Sequence, residues 1–205
     1  MTAAAMLAIS LTVCAQKTVM LDHDGNILTD DEFVDIRMAN YQYADATIVT
    51  KLPDGTTELR LQKIPQEGMA APDFAVKTLD GKKITAADLK GKVVVLNFWF
   101  IGCPACIRED PKLSELRAKF AGRADIIFLA MTADPAGDVK KYRADHRSDY
   151  IQATDAEKAL KSFTVSNYPK NIVIGRDGII RYWRSPIHAW DKFESVINTE
   201  LAKDQ

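Results

Sequence analysis

Residues 93–106 read VVVLNFWFIGCPAC, an apolar run that ends in two cysteines separated by two residues. The run Val93–Phe100 has the length and the near-continuous hydrophobicity of a strand that is buried in a parallel sheet. Apolar residues then recur at helical spacing over 113–120. The sequence therefore predicts that a strand delivers the cysteine pair to its carboxyl end and that Cys103 opens a helix.

The first turn of a helix is a favourable place for an ionised sulfur. Its N–H groups lack helical partners and carry partial positive charge, so a thiol there can have its pKa lowered from ~8.5 towards ~3.5–7.5. Cys103 is therefore the predicted nucleophile.

Residues 3–13 are uncharged and largely apolar, and small residues follow them. This pattern predicts an export signal over residues 1–15, with cleavage before Gln16. No Lys or Arg precedes the stretch, so a buried N-terminal strand or helix is the alternative. Leu11-Thr12-Val13-Cys14 also has the outline of a lipoprotein cleavage site, which would place a lipid anchor on Cys14. The stretch is shorter than the ~20 residues that span a bilayer, and no transmembrane helix is predicted.

The composition limits the class of protein and its partners. The chain has 205 residues, of which 47% are hydrophobic and 27% charged, enough for one sizeable core. Its 27 basic and 28 acidic side chains nearly cancel, and no basic cluster stands out, so we expect no nucleic-acid partner. Once the signal is removed, only Cys103 and Cys106 remain. In an exported protein this favours a disulfide that opens and closes over a structural one.

The spacing of apolar runs and turns divides the rest of the chain into two parts. Residues 16–67 form a predicted extension with a helix over Asp31–Gln42 and a hairpin over Ala46–Ile64. Residues 68–205 form the main predicted domain, of class α/β, with a central mixed sheet flanked by helices. Its predicted elements are a strand from Ala71–Phe74, a return strand at Lys83–Thr85, strands Ile126–Ala130, Ile172–Ile174 and Ile179–Trp183, and helices Pro135–Arg147 and Trp190–Ala202.

Two stretches of the main domain carry a family resemblance. Residues 99–111, WFIGCPACIREDP, and residues 163–169, FTVSNYP, resemble thioredoxin-like proteins of the TlpA/ResA type. The resemblance covers Gly68–Leu201 and leaves out residues 17–67. It implies a thioredoxin-like fold and a periplasmic thiol-disulfide oxidoreductase, commonly a reductant in cytochrome c maturation. The implied partners are exported proteins with disulfides and a membrane-bound thiol reductant as electron donor, and the redox disulfide itself is the only cofactor.

The resemblance also implies roles for particular residues. Cys106 is the resolving thiol, which attacks the mixed disulfide formed by Cys103. Glu109 moves the proton of that thiol, the alternative being a solvated surface carboxylate. Pro169 is a cis proline that turns the backbone of Tyr168 towards an extended substrate, the alternative being a trans proline.

Residues beside the cysteines complete the implied site. Pro104 occupies the first helical turn, where its missing N–H costs nothing, and Pro111 matches the proline that bends the family's active-site helix. Gly102 stands where the family commonly has tryptophan, so we expect an open surface there, while Tyr168 is bulkier than the usual threonine and narrows the groove.

Two other functions are open at the level of the sequence. A pair of thiolates suits Cu(I), which makes a copper chaperone possible, with His188 as the nearest third ligand. A peroxiredoxin-like enzyme shares the hairpin before the redox strand, but such enzymes need Thr and Pro close before the reactive cysteine. Residues 100–102, Phe-Ile-Gly, stand there instead.

Overall fold

The computed structural model describes residues 17–43 and 45–203. Its strands are β1 (Thr18–Leu21), β2 (Thr47–Lys51), β3 (Thr57–Leu61), β4 (Ala75–Thr78), β5 (Lys83–Thr85), β6 (Val93–Phe98), β7 (Ile126–Met131), β8 (Ile151–Thr154), β9 (Lys170–Ile174) and β10 (Ile180–Arg184). Its α-helices are α1 (Asp30–Ala39), α2 (Pro104–Lys119), α3 (Ala136–Asp145), α4 (Glu157–Ser162) and α5 (Trp190–Ala202). A short 3₁₀ turn covers Ala86–Leu89.

The main sheet has seven strands in the order β10-β9-β6-β7-β8-β4-β5. Strand β6 pairs in parallel with β7 and antiparallel with β9, so the predicted mixed sheet is confirmed. All six residues of β6 are buried, which explains why its sequence is apolar rather than alternating. The predicted α/β class with flanking helices is also confirmed.

Alternation along β6 separates two apolar cores. Leu96 and Phe98 point to the side that holds Phe163 and Trp183. Residues 93 and 95 point to the opposite side, where α2 and α5 pack and where both cysteines lie. Burying one large apolar side chain contributes about 1.5–3 kcal/mol, so this packing fixes the position of α2 against the sheet.

The sequence analysis misplaced one strand of this sheet and missed two elements. Strand β4 begins at Ala75 rather than at Ala71, because the N–H of Ala71 donates to the carbonyl of Gly178 at 2.8 Å instead of joining a ladder. Strand β8 and helix α4 were not predicted. They have four and six residues, too few to show a clear period.

The extension forms a sheet of its own with the order β1-β3-β2. Strands β2 and β3 form the predicted hairpin, and β1, which was not predicted, pairs in parallel with β3. Helix α1 begins with a capping box between Thr29 and Glu32 and ends at Ala39, earlier than predicted. It lies against β10 of the main sheet as well as against β1 and β3, so it does more than cover the hairpin.

Predictions for residues 1–15, including the export signal and the lipid anchor on Cys14, lie outside the described residues. In the part of the chain that the structure describes, no helix combines the length and the apolar character that crossing a membrane requires.

Lys170, at the start of β9, is a buried cation. Its Nζ lies 5.1 Å from the centre of the Trp183 ring, and burial, together with the charge of Arg184, lowers the pKa of its amine to about 8. In the unfolded chain a lysine titrates near ~10.4. Below pH 8 the buried charge of Lys170 therefore lowers the free energy of unfolding, and this destabilisation disappears as the pH rises from about 8 to ~10.4.

We expect Lys170→Met to raise the free energy of unfolding at pH 7 by about 2 kcal/mol. The lowered pKa corresponds to about 3 kcal/mol, and losing the contact with Trp183 offsets about 1 kcal/mol of it. Denaturant unfolding at pH 7 and at pH 10 measures the effect, which should be much smaller at pH 10. Lys161→Met, at an exposed lysine of α4, is the control and should change stability little. An equal gain at both pH values would contradict this account.

Candidate active site

Cys103 and Cys106 form a disulfide at the start of α2, with Cα atoms 5.3 Å apart. Cys103 is the N-cap residue, and its Sγ accepts a hydrogen bond from the backbone N–H of Cys106 at 3.2 Å. The predicted contact between this sulfur and a free N–H group of the first helical turn is therefore present. Pro104 occupies the first turn as predicted, and α2 continues through Pro111.

Both cysteines are buried, Cys103 with 2% and Cys106 with 8% of its surface exposed. The predicted nucleophile is therefore covered at least as well as the predicted resolving thiol. Its neighbours Gly102 and Pro104 are exposed. Gly102 has φ = 84°, a backbone conformation in which tryptophan would be strained. The space beside it is open, because an added Cβ would meet nothing within 4 Å.

Phe100 and Tyr168 form a rim beside the disulfide. Their ring centres are 5.3 Å apart in an edge-to-face arrangement. The bond between Tyr168 and Pro169 is cis, as the resemblance implied, and the carbonyl of Pro169 accepts a hydrogen bond from the hydroxyl of Ser185. The N–H of Ile101 donates to a carboxylate oxygen of Asp134 at 2.7 Å, which fixes the loop that enters the site.

Glu109 lies one turn beyond Cys106 and is 5% exposed, so the alternative of a solvated surface carboxylate is wrong. Its Oε1 accepts from the backbone N–H of Ile187 at 2.7 Å, and its Oε2 accepts from the side-chain amide of Asn171 at 2.9 Å. Burial raises the pKa of Glu109 to about 7, and these two hydrogen bonds oppose the rise. A carboxyl group with this pKa can both take up and release a proton near neutral pH.

Two buried asparagines connect Glu109 to the central strand. The amide of Asn97 on β6 donates to the side-chain oxygen of Asn171 on β9 at 2.9 Å, and Asn171 in turn donates to Glu109. A buried polar group is costly without a partner, so this chain of donors and acceptors holds the carboxylate in one position. The sequence analysis missed both asparagines, although Asn97 is the one polar residue in an otherwise apolar strand.

Residues 68–183 match the AhpC/TSA family. This segment is more than half of the chain. The chain belongs to the AhpC/TSA family. The match leaves out the extension, as the sequence resemblance did.

Relatives and solved structures agree with this assignment. The chain is 30% identical over 118 residues to the thioredoxin-like protein YneN of Bacillus subtilis, covering 57% of this chain and 69% of that protein. It is 36% identical over 115 residues to the thiol-disulfide oxidoreductase ResA of Bacillus anthracis, covering 55% and 66%. A thioredoxin domain of a thiol-disulfide oxidoreductase from Bacteroides vulgatus superposes with a TM-score of 0.57 at 25% identity, covering 65% and 97%.

The fold is shared more widely than the sequence. A thiol:disulfide interchange protein of Chlorobium tepidum superposes with a TM-score of 0.58 at 23% identity, covering 66% of this chain and 98% of that chain. The predicted thioredoxin-like fold is therefore confirmed. The predicted enzyme class, thiol-disulfide oxidoreductase, is confirmed, because a relative and a solved structure similar to this chain carry that name.

The structure bears on the copper-chaperone alternative through His188. Its Nδ1 lies 2.7 Å from a carboxylate oxygen of Asp35, so this ring nitrogen already has a partner. Within residues 17–43 and 45–203, no three His, Cys, Asp or Glu side chains converge in a way that could hold a metal ion.

Proposed function

We propose that the protein reduces disulfides of exported client proteins through its Cys103–Cys106 pair. The observation that carries the proposal is the combination of a disulfide at the start of α2 and a buried carboxyl group, Glu109, one turn away with a pKa of about 7. In its reduced form the cysteine pair supplies two electrons to the client, and Glu109 supplies a proton acceptor suited to neutral pH.

The reaction proceeds in two exchanges. In the reduced protein, the Cys103 thiolate attacks one sulfur of the client disulfide, a mixed disulfide forms, and the other client sulfur leaves as a thiolate. Cys106 then gives its proton to Glu109 and attacks the Cys103 sulfur. The second client thiolate leaves, and the bond between Cys103 and Cys106 closes. Two electrons have passed from the protein to the client.

The residues around the disulfide would bind the client. An extended client segment would lie over Gly102 and Pro104 and pair with the backbone of Tyr168, next to the cis bond of Pro169. The exposed ring of Phe100 against Tyr168 adds apolar contact area at this place. Such contacts are nonspecific enough to accept several clients.

The setting proposed for this reaction is the periplasm. The predicted export signal supports it, and the resemblance to TlpA/ResA-type proteins supports a reductant whose own electrons come from a membrane-bound thiol donor. Clients in cytochrome c maturation fit the same resemblance. We propose residues 16–67 as an extension and 68–205 as the redox domain, with no nucleic-acid partner and no cofactor beyond the disulfide.

Equilibration of the protein with glutathione redox buffers tests this function. Alkylation at each point measures the fraction of Cys103 and Cys106 that is reduced. A reductant should have a midpoint potential nearer to the ~−270 mV of thioredoxin than to the ~−120 mV of the oxidant DsbA. A midpoint near the upper value would reverse the proposed direction, and a pair that does not exchange would overturn the proposal.

The same preparation separates the two alternatives. Faster consumption of a hydroperoxide than of a client disulfide would indicate a peroxiredoxin-like enzyme. Stoichiometric Cu(I) bound to the reduced protein, purified without a tag, would indicate a copper chaperone. We expect client disulfide reduction to dominate, because Phe100, Ile101 and Gly102 replace the groups that position a peroxide.

A further inference from the structure

One carboxylate of the extension reaches the loop that enters α5. Asp35, on α1, is almost completely buried. Its Oδ2 accepts hydrogen bonds from the backbone N–H groups of His188 and Ala189 at 3.1 and 3.0 Å. Its Oδ1 lies 2.8 Å from the N–H of His188 and 2.7 Å from the ring Nδ1 of the same residue. Ala189 is the N-cap residue of α5 and makes no side-chain capping hydrogen bond, and its own backbone N–H finds its acceptor in Asp35 of another element.

The same loop holds Glu109. The N–H of Ile187, directly before His188, donates to Glu109 Oε1 at 2.7 Å. Three consecutive N–H groups, those of residues 187–189, are therefore divided between one carboxylate of the extension and one of the redox site. A loop that moved at residue 188 or 189 would carry the donor of residue 187 with it.

We propose that Asp35 is a positioning residue for Glu109: it fixes the loop of residues 187–189, so that the Ile187 N–H stays on the Glu109 carboxylate. The extension would then be part of the redox site, because folding α1 against the main sheet completes the surroundings of the proton acceptor. The inference rests on the proposed role of Glu109 in thiol-disulfide exchange.

Several charged or titratable groups face Glu109. Asp35 and His188 contribute charge, the first raising and the second lowering the pKa of the carboxyl group. Tyr150 and Tyr182 are buried and stay neutral, because burial raises the pKa of both phenols. Asp110, the next residue on α2, is paired with Arg143. The hydrogen bond from Ile187 affects the pKa of Glu109 more than the charge of Asp35 does.

Two substitutions of Asp35 separate its charge from its hydrogen bonds. Asp35→Asn removes the charge but keeps one oxygen, which suffices because Oδ2 alone accepts from both backbone N–H groups. The titration midpoint of Glu109 should move to lower pH. Asp35→Ala removes the acceptor as well, so the loop is released and Glu109 loses its donor. The midpoint should then move to higher pH, by at least about half a pH unit.

Isotope-edited infrared spectroscopy of the full-length protein measures this midpoint from the carboxyl band that disappears in Glu109→Gln. Amide hydrogen exchange at Ile187 gives a second reading, which should accelerate in Asp35→Ala and not in Asp35→Asn. Asp31→Asn, at an exposed carboxylate of the same helix, is the matched control and should change neither reading. Should Asp35→Ala fail to fold, Asp35→Ser replaces it, since its hydroxyl ends short of the loop.

Shifts of opposite sign would support the inference. Shifts of the same sign, or unchanged exchange at Ile187 in a folded Asp35→Ala protein, would overturn it and leave Asp35 a residue of the interface alone. Neither reading uses a client. Failure of the protein to reduce clients would therefore refute the proposed function without touching this result, and the reverse also holds.

Discussion

Cys106→Ala is expected to stop the protein at the mixed disulfide with its client and to lower multiple turnover by on the order of 10³-fold. Alanine keeps the backbone N–H that donates to the Cys103 sulfur at 3.2 Å. The Cys103 thiolate therefore stays stabilised, and the first exchange proceeds. The second exchange lacks its nucleophile, so the client remains attached. Nonreducing electrophoresis and mass spectrometry of the trapped adduct measure this outcome.

Cys103→Ala is the matched variant and should form no adduct, because Cys106 lies one turn into α2. All variants should also carry Cys14→Ser, so that the third cysteine of the full chain cannot attack the client. If adducts formed through Cys106 in the Cys103→Ala protein, the assigned order of attack would be wrong. If Cys106→Ala turned over clients at the parental rate, no resolving thiol would be needed and the mechanism would fail.

The position of the cysteine pair could be predicted from the sequence because it depends on local patterns. A continuous apolar run ended in two cysteines, and helical spacing followed, which was enough to place Cys103 at the start of α2. Short elements without a clear period, such as β8, escaped prediction. So did the parallel pairing of β1 with β3, because its partners lie far apart in the chain.

The surroundings of Glu109 could not be predicted for a related reason. Its hydrogen-bond partners Asn171 and Ile187 are 62 and 78 residues away, and Asp35 and His188 are 153 residues apart. The family resemblance implied a role for Glu109 but did not show how deeply its side chain is buried, and it did not extend to Asp35. A second cis bond, before Pro186, was also unforeseen. Local spacing thus located the sulfurs, whereas tertiary packing determines the proton chemistry beside them.

Glu109→Gln should slow the resolving step by about 10²-fold at pH 8, which is the usual size of a contribution from a positioned proton acceptor. In the parent protein, the rate should rise as the pH passes through about 7, where Glu109 loses its proton. The amide has no such ionisation, so the rise near pH 7 should be absent. Stopped-flow measurement of mixed-disulfide resolution records both effects. The pH should run from about 5 to about 9, that is, about 2 pH units on either side of the Glu109 pKa, so that the whole titration is covered.

The stability of the same variant should change in the opposite direction to its activity. Because folding raises the pKa of Glu109 from 4.5 to about 7, the native state binds the proton more tightly than the unfolded chain. The parent therefore loses stability as the pH rises from 4.5 to about 7, by about 3 kcal/mol in total, and Glu109→Gln should not lose this part. At pH 8 the variant should be slower and yet more resistant to denaturant, which excludes misfolding as the cause of its slow resolution.

Glu115→Gln, at an exposed carboxylate of α2, is the control and should change neither the rate of resolution nor the stability. If Glu109→Gln kept the parental rise in rate near pH 7, the group whose ionisation causes that rise would have to be a residue other than Glu109.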